Sequence, residues 1–147
     1  EMLGLTHLGP LRRAPADGDM GLGRVGRPPQ GTTLRDLVTA LGVAFGHPPR
    51  TFVGDADLRV QCVALCTGSG ASLIEDAVAS GADVYITGDL KYHDADRARG
   101  LALICVPHAT VERITLAAWC DDLRRTLGSR AQVHFASSDT DPWTRAE

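Results

Sequence analysis

No apolar run in these 147 residues approaches the roughly 18 needed to cross a bilayer, and the opening residues carry no charged-then-apolar leader. Neither a membrane-spanning nor an exported protein is expected, and the chain reads as cytoplasmic. Basic excess is missing too. A net charge of -3 and a pI near 5.9 leave no stripe that a phosphate backbone would select, so nucleic-acid binding by bulk charge is disfavoured. A small anionic substrate stays open, because a metal or a helix N-terminus supplies local positive charge. The four cysteines, Cys62, Cys66, Cys105 and Cys120, contain no C-x-x-C pair and read as buried thiols rather than as disulfides or a zinc site. Cys62 and Cys66 fall four apart in an expected strand, about 13 Å from each other, which no disulfide spans. There is no internal repeat and no low-complexity segment.

What remains is ordinary globular material, 44% hydrophobic and 22% charged, of a length that suits one domain over residues 1–147. Glu1-Met2-Leu3-Gly4 reads as the last turn of a helix with nothing before it, so the expectation is the later part of a longer chain, incomplete at its N-terminus. Residues 1–31 are too rich in Gly and Pro for regular structure beyond a short strand over 22–25, and form a loop-rich opening segment. The Gly21-Leu22-Gly23-Arg24-Val25-Gly26 run matches G-x-G-x-x-G in letters only. No strand precedes it, and Pro28-Pro29 blocks a following helix.

Thr32 and Thr33 cap a helix whose Leu34, Leu37, Val38 and Leu41 follow the i, i+3, i+4, i+7 rule; it ends at Gly42 or, a turn later, at Gly46. His47, before Pro48-Pro49, reads as a surface turn residue. Strands are predicted over 51–53, 60–66, 84–86, 101–106 and 132–136, with helices from about 71, over 92–99, and over 109–127 with Leu116, Cys120, Leu123 and Leu127 as its buried stripe. Ser72 and Glu75 have capping-box spacing, and Gly81 stands where a helix-ending glycine belongs. Successive β-α-β steps with short connections give an α/β fold: a mixed, largely parallel sheet with flanking helices. In such a sheet ligands bind at the carboxyl ends of the strands. Three loops converge there, at 68–70, 87–93 and 107–112.

Those loops hold the candidate chemistry. His108 and Glu112 are four apart at a helix start, so an imidazole nitrogen and a carboxylate can reach one cation; a solvated surface pair has the same spacing. Asp89, His93 and Asp94 offer a ligand, a partner behind a ligand, or a general acid or base, while the plainer roles are helix capping for Asp89 and a dipole interaction for Asp94. Lys91 and Tyr92 either steady a substrate oxygen or face solvent. Gly68-Ser69-Gly70 lacks the Lys and spacing of a P-loop, so a tight structural turn is favoured over a phosphate site or a plain nucleotide-binding domain.

The run Thr87-Gly88-Asp89-Leu90-Lys91-Tyr92-His93-Asp94-Ala95, followed by His108-x-x-x-Glu112, resembles the Nif-three-like dinuclear-metal family, also known as GTP cyclohydrolase 1 type 2 homologues. The resemblance extends through residues 21–26, 60–70 and 81–86. It implies an α/β protein, commonly a homohexameric ring, with two divalent metal ions per full-length chain held by histidines and carboxylates. The family's ligands are an early His-His pair and an Asp, joined by a late His-x-x-x-Glu. Only the late pair matches here, as metal ligands His108 and Glu112, and the early ligands would precede Glu1. The resemblance further implies a metal-dependent hydrolase of a nucleotide or pterin-like small molecule, with Asp89 and His93 as catalytic groups that move protons. The alternative is a metal-binding scaffold or interaction protein without catalysis. Where the family usually has Gly before the His, Tyr after it and Thr before the Glu, this chain has Pro107, Ala109 and Val111, which favours that alternative.

Overall fold

The computed structural model describes residues 3–15, 17–46, 48–49, 51–98, 100–138 and 141–143. The reading of His47 as a turn residue lies outside them. Six strands form one sheet in the order β1 (Thr6–Gly9), β4 (Arg24–Arg27), β6 (Val63–Ser69), β7 (Val84–Gly88), β8 (Ala102–Val106), β5 (Thr51–Val53). The β6–β7 and β7–β8 pairs are parallel, as the two crossovers require, and the three flanking pairs are antiparallel. This is the expected mixed α/β sheet, its parallel part confined to the centre.

β7 is buried along its whole length, which is why its sequence alternates so little. Successive residues still point to opposite faces. Val84 and Ile86 meet Leu34, Leu37 and Leu41 of α1 (Leu34–Phe45). Tyr85 faces the other way, onto Leu73, Ile74 and Ala77 around α2 (Ile74–Ala79) and Ala98 after α3 (Tyr92–Arg97). The sheet is thus covered on both faces.

α1 begins as predicted. Thr33 Oγ1 accepts from the Asp36 amide, the Asp36 carboxylate accepts from the Thr33 amide at 2.8 Å and from its hydroxyl at 2.7 Å, and the helix runs to a left-handed Gly46. These bonds to its charged form hold the Asp36 carboxyl below its ordinary 3.8, the Thr33 hydroxyl contributing most. A depressed folded-state value means stability that is complete above 3.8 and lost as pH falls through the folded value. Thr33→Ala is therefore expected to move the Asp36 titration, followed by carboxyl NMR, upward toward 3.8. A titration unchanged in the variant would contradict this.

Several expectations need correction. The opening segment is not mainly loop: β1 and β4 pair within it, as do β2 (Arg12–Ala14) and β3 (Asp17–Leu22). Antiparallel edge ladders tolerate glycine, and Arg12 anchors this hairpin with a 2.6 Å bond to Asp76 of α2. The 60–66 strand is shifted to Val63–Ser69, because the Asp83 carboxylate accepts from the amides of Gln61 and Cys62 and holds them off the ladder. Cys62 therefore precedes the strand. All four cysteines are free, but only Cys120 is buried; the others are half-buried. No Ser72–Glu75 capping box forms, because a 3-10 turn over Ala71–Leu73 leads into α2.

The helix expected over 109–127 is two, α4 (His108–Arg113) and α5 (Leu116–Leu127). Between them Thr115 donates its hydroxyl to the Glu112 carbonyl at 3.2 Å, a side-chain bond that competes with the helical ladder. The stripe on α5 is real but shallow, with Cys120 buried and Leu116, Leu123 and Leu127 half-buried. Residues 132–136 form no strand and are largely exposed, and the place beside β8 is taken by β5. No described helix is long and apolar enough to cross a membrane.

Candidate functional site

β6, β7 and β8 end side by side, and the three predicted segments meet there, although Gly68 and Ser69 close β6 instead of forming the predicted turn. After β7 the chain turns at Asp89, the one non-glycine residue with positive φ (54°) among those described. After β8, Pro107 holds an extended backbone (φ -62°, ψ 133°) and makes His108 the first residue of α4. Proline suits that place, since the amide it lacks would have no helical partner.

The three side chains brought together are Asp89, His108 and Glu112. His108 Nδ1 lies 2.7 Å from Asp89 Oδ2, and His108 Nε2 lies 3.2 Å from Glu112 Oε1. Each is about half exposed, at 43% for His108, 51% for Asp89 and 52% for Glu112. The hydrogen bond that Asp89 accepts raises the imidazole above its ordinary 6.5; burial, the next largest effect, opposes it, and the charges of Glu112 and Asp89 add to the rise. The imidazole is thus flanked by a carboxylate at each nitrogen.

That arrangement has a consequence for charge. A carboxylate only accepts, so Nδ1 carries the proton that bonds Asp89. In the neutral ring Nε2 then turns a lone pair toward another acceptor, Glu112 Oε1, and only a cation between or beside them makes the contact favourable. A proton serves, giving an imidazolium. A divalent metal ion fits equally: with metal–ligand bonds of about 2.0–2.2 Å, two donors on one cation stand about 3.0–3.4 Å apart, and this pair stands at 3.2 Å. Asp89 lies on the opposite nitrogen and cannot share that cation. Accordingly, among the described residues no group of three or more His, Cys, Asp and Glu side chains converges on a metal position. The described residues bring together two groups able to face one cation and a third behind the imidazole, not a full coordination set.

The remaining candidates stand apart. His93 is exposed, its ring edge-on to Tyr92 with centroids 5.5 Å apart. Asp94 accepts from the Lys91 amide at 2.9 Å and pairs with Arg97 at 2.8 Å, so Asp94 and not Asp89 tends the start of α3. Tyr92 is 82% exposed. Val111 is buried in the core beside Ile86 and Val106, so its apolar character belongs to packing rather than to the His108 neighbourhood.

Two features were not legible in the sequence. Gly68 lies directly beneath the pair: a Cβ there would be 2.7 Å from Glu112 Oε1 and 3.4 Å from His108 Cε1. Beside it, Thr87, the one buried polar residue among those described, donates to the Gly68 carbonyl at 3.3 Å, and the buried Tyr85 hydroxyl donates to the Gly70 carbonyl at 3.0 Å. The glycines at 68 and 70 were a visible signal, but one that reads equally as a loop.

A family profile described as Duf34/NIF3 (NGG1p interacting factor 3) matches residues 1–142. Among curated relatives, the GTP cyclohydrolase 1 type 2 homolog of Mycobacterium leprae is 38% identical over 141 residues, covering 88% of this chain and 35% of the relative. The Listeria innocua protein of the same name is 45% identical over 128 residues, covering 84% and 34%. The chain thus spans about a third of the length of these relatives. Among solved structures, a Bacillus cereus protein related to NIF3 superposes with TM-score 0.78 at 27% identity, over 90% of this chain and 38% of that one. Staphylococcus aureus protein SA1388 gives 0.76 at 28% identity, over 86% and 37%. With profile, sequence relatives and fold in agreement, the chain belongs to the Duf34/NIF3 family.

Proposed function

We propose that this chain contributes His108 Nε2 and Glu112 to a divalent-metal centre of a metal-dependent hydrolase. The observation that carries the reading is the 3.2 Å approach of these two acceptors while Asp89 occupies the other imidazole nitrogen. A divalent cation held there supplies Lewis acidity, acidifying water and polarising a substrate oxygen. The protein's own groups bind, orient and move protons. Asp89 is already engaged with His108, which leaves exposed His93 as the uncommitted one of the two proposed proton carriers, although it stands apart from the pair. A groove of about 280 Å³ is lined by Thr67 and Val111 and has an apolar wall formed by Leu41, Leu65 and Ile86, but neither His108 nor Glu112 lines it. The name carried by the curated relatives points to a nucleotide or pterin-like compound.

Family membership further supports two metal ions per full-length chain, a homohexameric assembly and a cytoplasmic location as parts of the same proposal. The competing reading is a metal-binding scaffold, favoured by the apolar residues Pro107 and Ala109 flanking His108. Elemental analysis of the intact protein, combined with assays on a nucleotide panel, separates the two. The hydrolase reading expects His108→Ala and Glu112→Ala to lower metal content and turnover together. Turnover that persists in both variants overturns it, and bound metal without any turnover selects the scaffold.

A further inference from the structure

We infer that Asp89 is a positioning residue: it fixes the tautomer and ring orientation of His108 so that Nε2, and not Nδ1, is presented beside Glu112. The inference rests on the reading of His108 and Glu112 as metal ligands and deepens it by giving Asp89 a role other than ligand or proton carrier. The first support is geometric. Asp89 Oδ2 is 2.7 Å from Nδ1, a length typical of a charge-assisted bond. An acceptor there requires the proton on Nδ1 and frees the Nε2 lone pair.

The second support is where the carboxylate is mounted. Asp89 follows the end of β7, which is buried throughout and hydrogen-bonded on both sides. Its backbone is held at φ 54°, a conformation that side-chain-bearing residues adopt at a cost. A residue in a free loop would relax out of it. Here the strand sets the carboxylate's place, and the carboxylate in turn sets the ring.

The third support is that the competing local job is already filled. Asp94 accepts the Lys91 amide at the start of α3, so Asp89 is not needed as that helix's cap. The other side of the imidazole is closed by Gly68, where even a methyl group would come within 3.4 Å of Cε1. The ring is held between a directional hydrogen bond and a steric floor.

The test uses the intact protein with Mn²⁺ alone as titrant, followed by calorimetry. Asp89→Ala is expected to weaken Mn²⁺ binding about 10- to 100-fold, the usual effect of removing a hydrogen-bond partner behind a ligating histidine. Asp89→Asn tolerates positive φ and still accepts from Nδ1–H, so it should restore most of the affinity. A second readout needs no metal: ¹⁵N NMR of the His108 ring in chelator-treated protein. At a pH high enough for the ring to be neutral, the wild type and Asp89→Asn should show the Nδ1–H tautomer, and Asp89→Ala a mixture. Wild-type affinity and an unchanged tautomer in Asp89→Ala overturn the inference, as does a failure of Asp89→Asn to rescue a folded protein. Wild-type Mn²⁺ binding in His108→Ala instead overturns the metal reading itself, and the metal-free tautomer then decides separately what Asp89 does.

Discussion

Gly70→Ala is expected to destabilise the protein by about 3 kcal/mol, seen as a lower midpoint of urea unfolding with little change in slope. A Cβ at Gly70 would overlap both Thr87 Oγ1 and the Tyr85 hydroxyl. Both side chains are fully buried, at 0% exposure, so neither swings into solvent to make room. Moving Tyr85 also breaks its 3.0 Å bond to the Gly70 carbonyl and strands a buried hydroxyl. Burial already pushes that phenol well above its ordinary value, a sign of how little water reaches it. Overpacking costs about 1–3 kcal/mol and an orphaned buried polar group about 1–3 more, and partial relaxation brings the sum to about 3. Because one of the two overlapping hydroxyls belongs to Tyr85, Tyr85→Phe in the same protein should recover about 1 kcal/mol of the loss. A Gly70→Ala protein that melts with the wild type would mean this contact is not packed as described.

This glycine also shows where sequence reasoning stops. Thr33 with Leu34, Leu37 and Leu41 announced α1, because capping and a 3.6-residue period are local properties. The apolar runs announced β7 and β8 for the same reason. β6 was placed three residues early, since Gly68 and Ser69 look like loop and nothing local says that Asp83 will hold Gln61 and Cys62 away from the ladder. The break between α4 and α5 has no Gly or Pro to mark it. The segment over 132–136 failed the other way: it alternates like a strand, but alternation alone does not bring it to a sheet edge.

The site divides along the same line. His108 and Glu112 were legible because four residues on a helix is a fixed geometry. The contact of Asp89 with His108 links residues 19 apart, and only the parallel register of β7 and β8 brings them together. His93 sits in the most recognisable stretch of the chain, yet its described ring contact is with Tyr92 rather than with the imidazole–carboxylate pair.

Gly68→Ala tests the pair with the opposite signature to Gly70→Ala. Gly68 sits at φ 69°, where an alanine costs about 1–2 kcal/mol, and alanine returns about 0.4–1 kcal/mol by stiffening the unfolded chain. A net loss near 1 kcal/mol is therefore expected from the backbone. The new Cβ would lie 2.7 Å from Glu112 Oε1, but that atom ends a flexible, half-exposed side chain rather than a packed one. Glu112 yields, the sheet does not, and the carboxylate leaves His108 Nε2. Affinity of the intact protein for Mn²⁺ should then fall by about 10- to 100-fold, the scale on which displaced support degrades a metal site, while the protein stays folded at ordinary temperature. Calorimetric titration beside a thermal melt reads both quantities on one sample. Unchanged affinity would show that Glu112 does not bind metal from this position, and the 3.2 Å pair would then be an ion pair with an imidazolium.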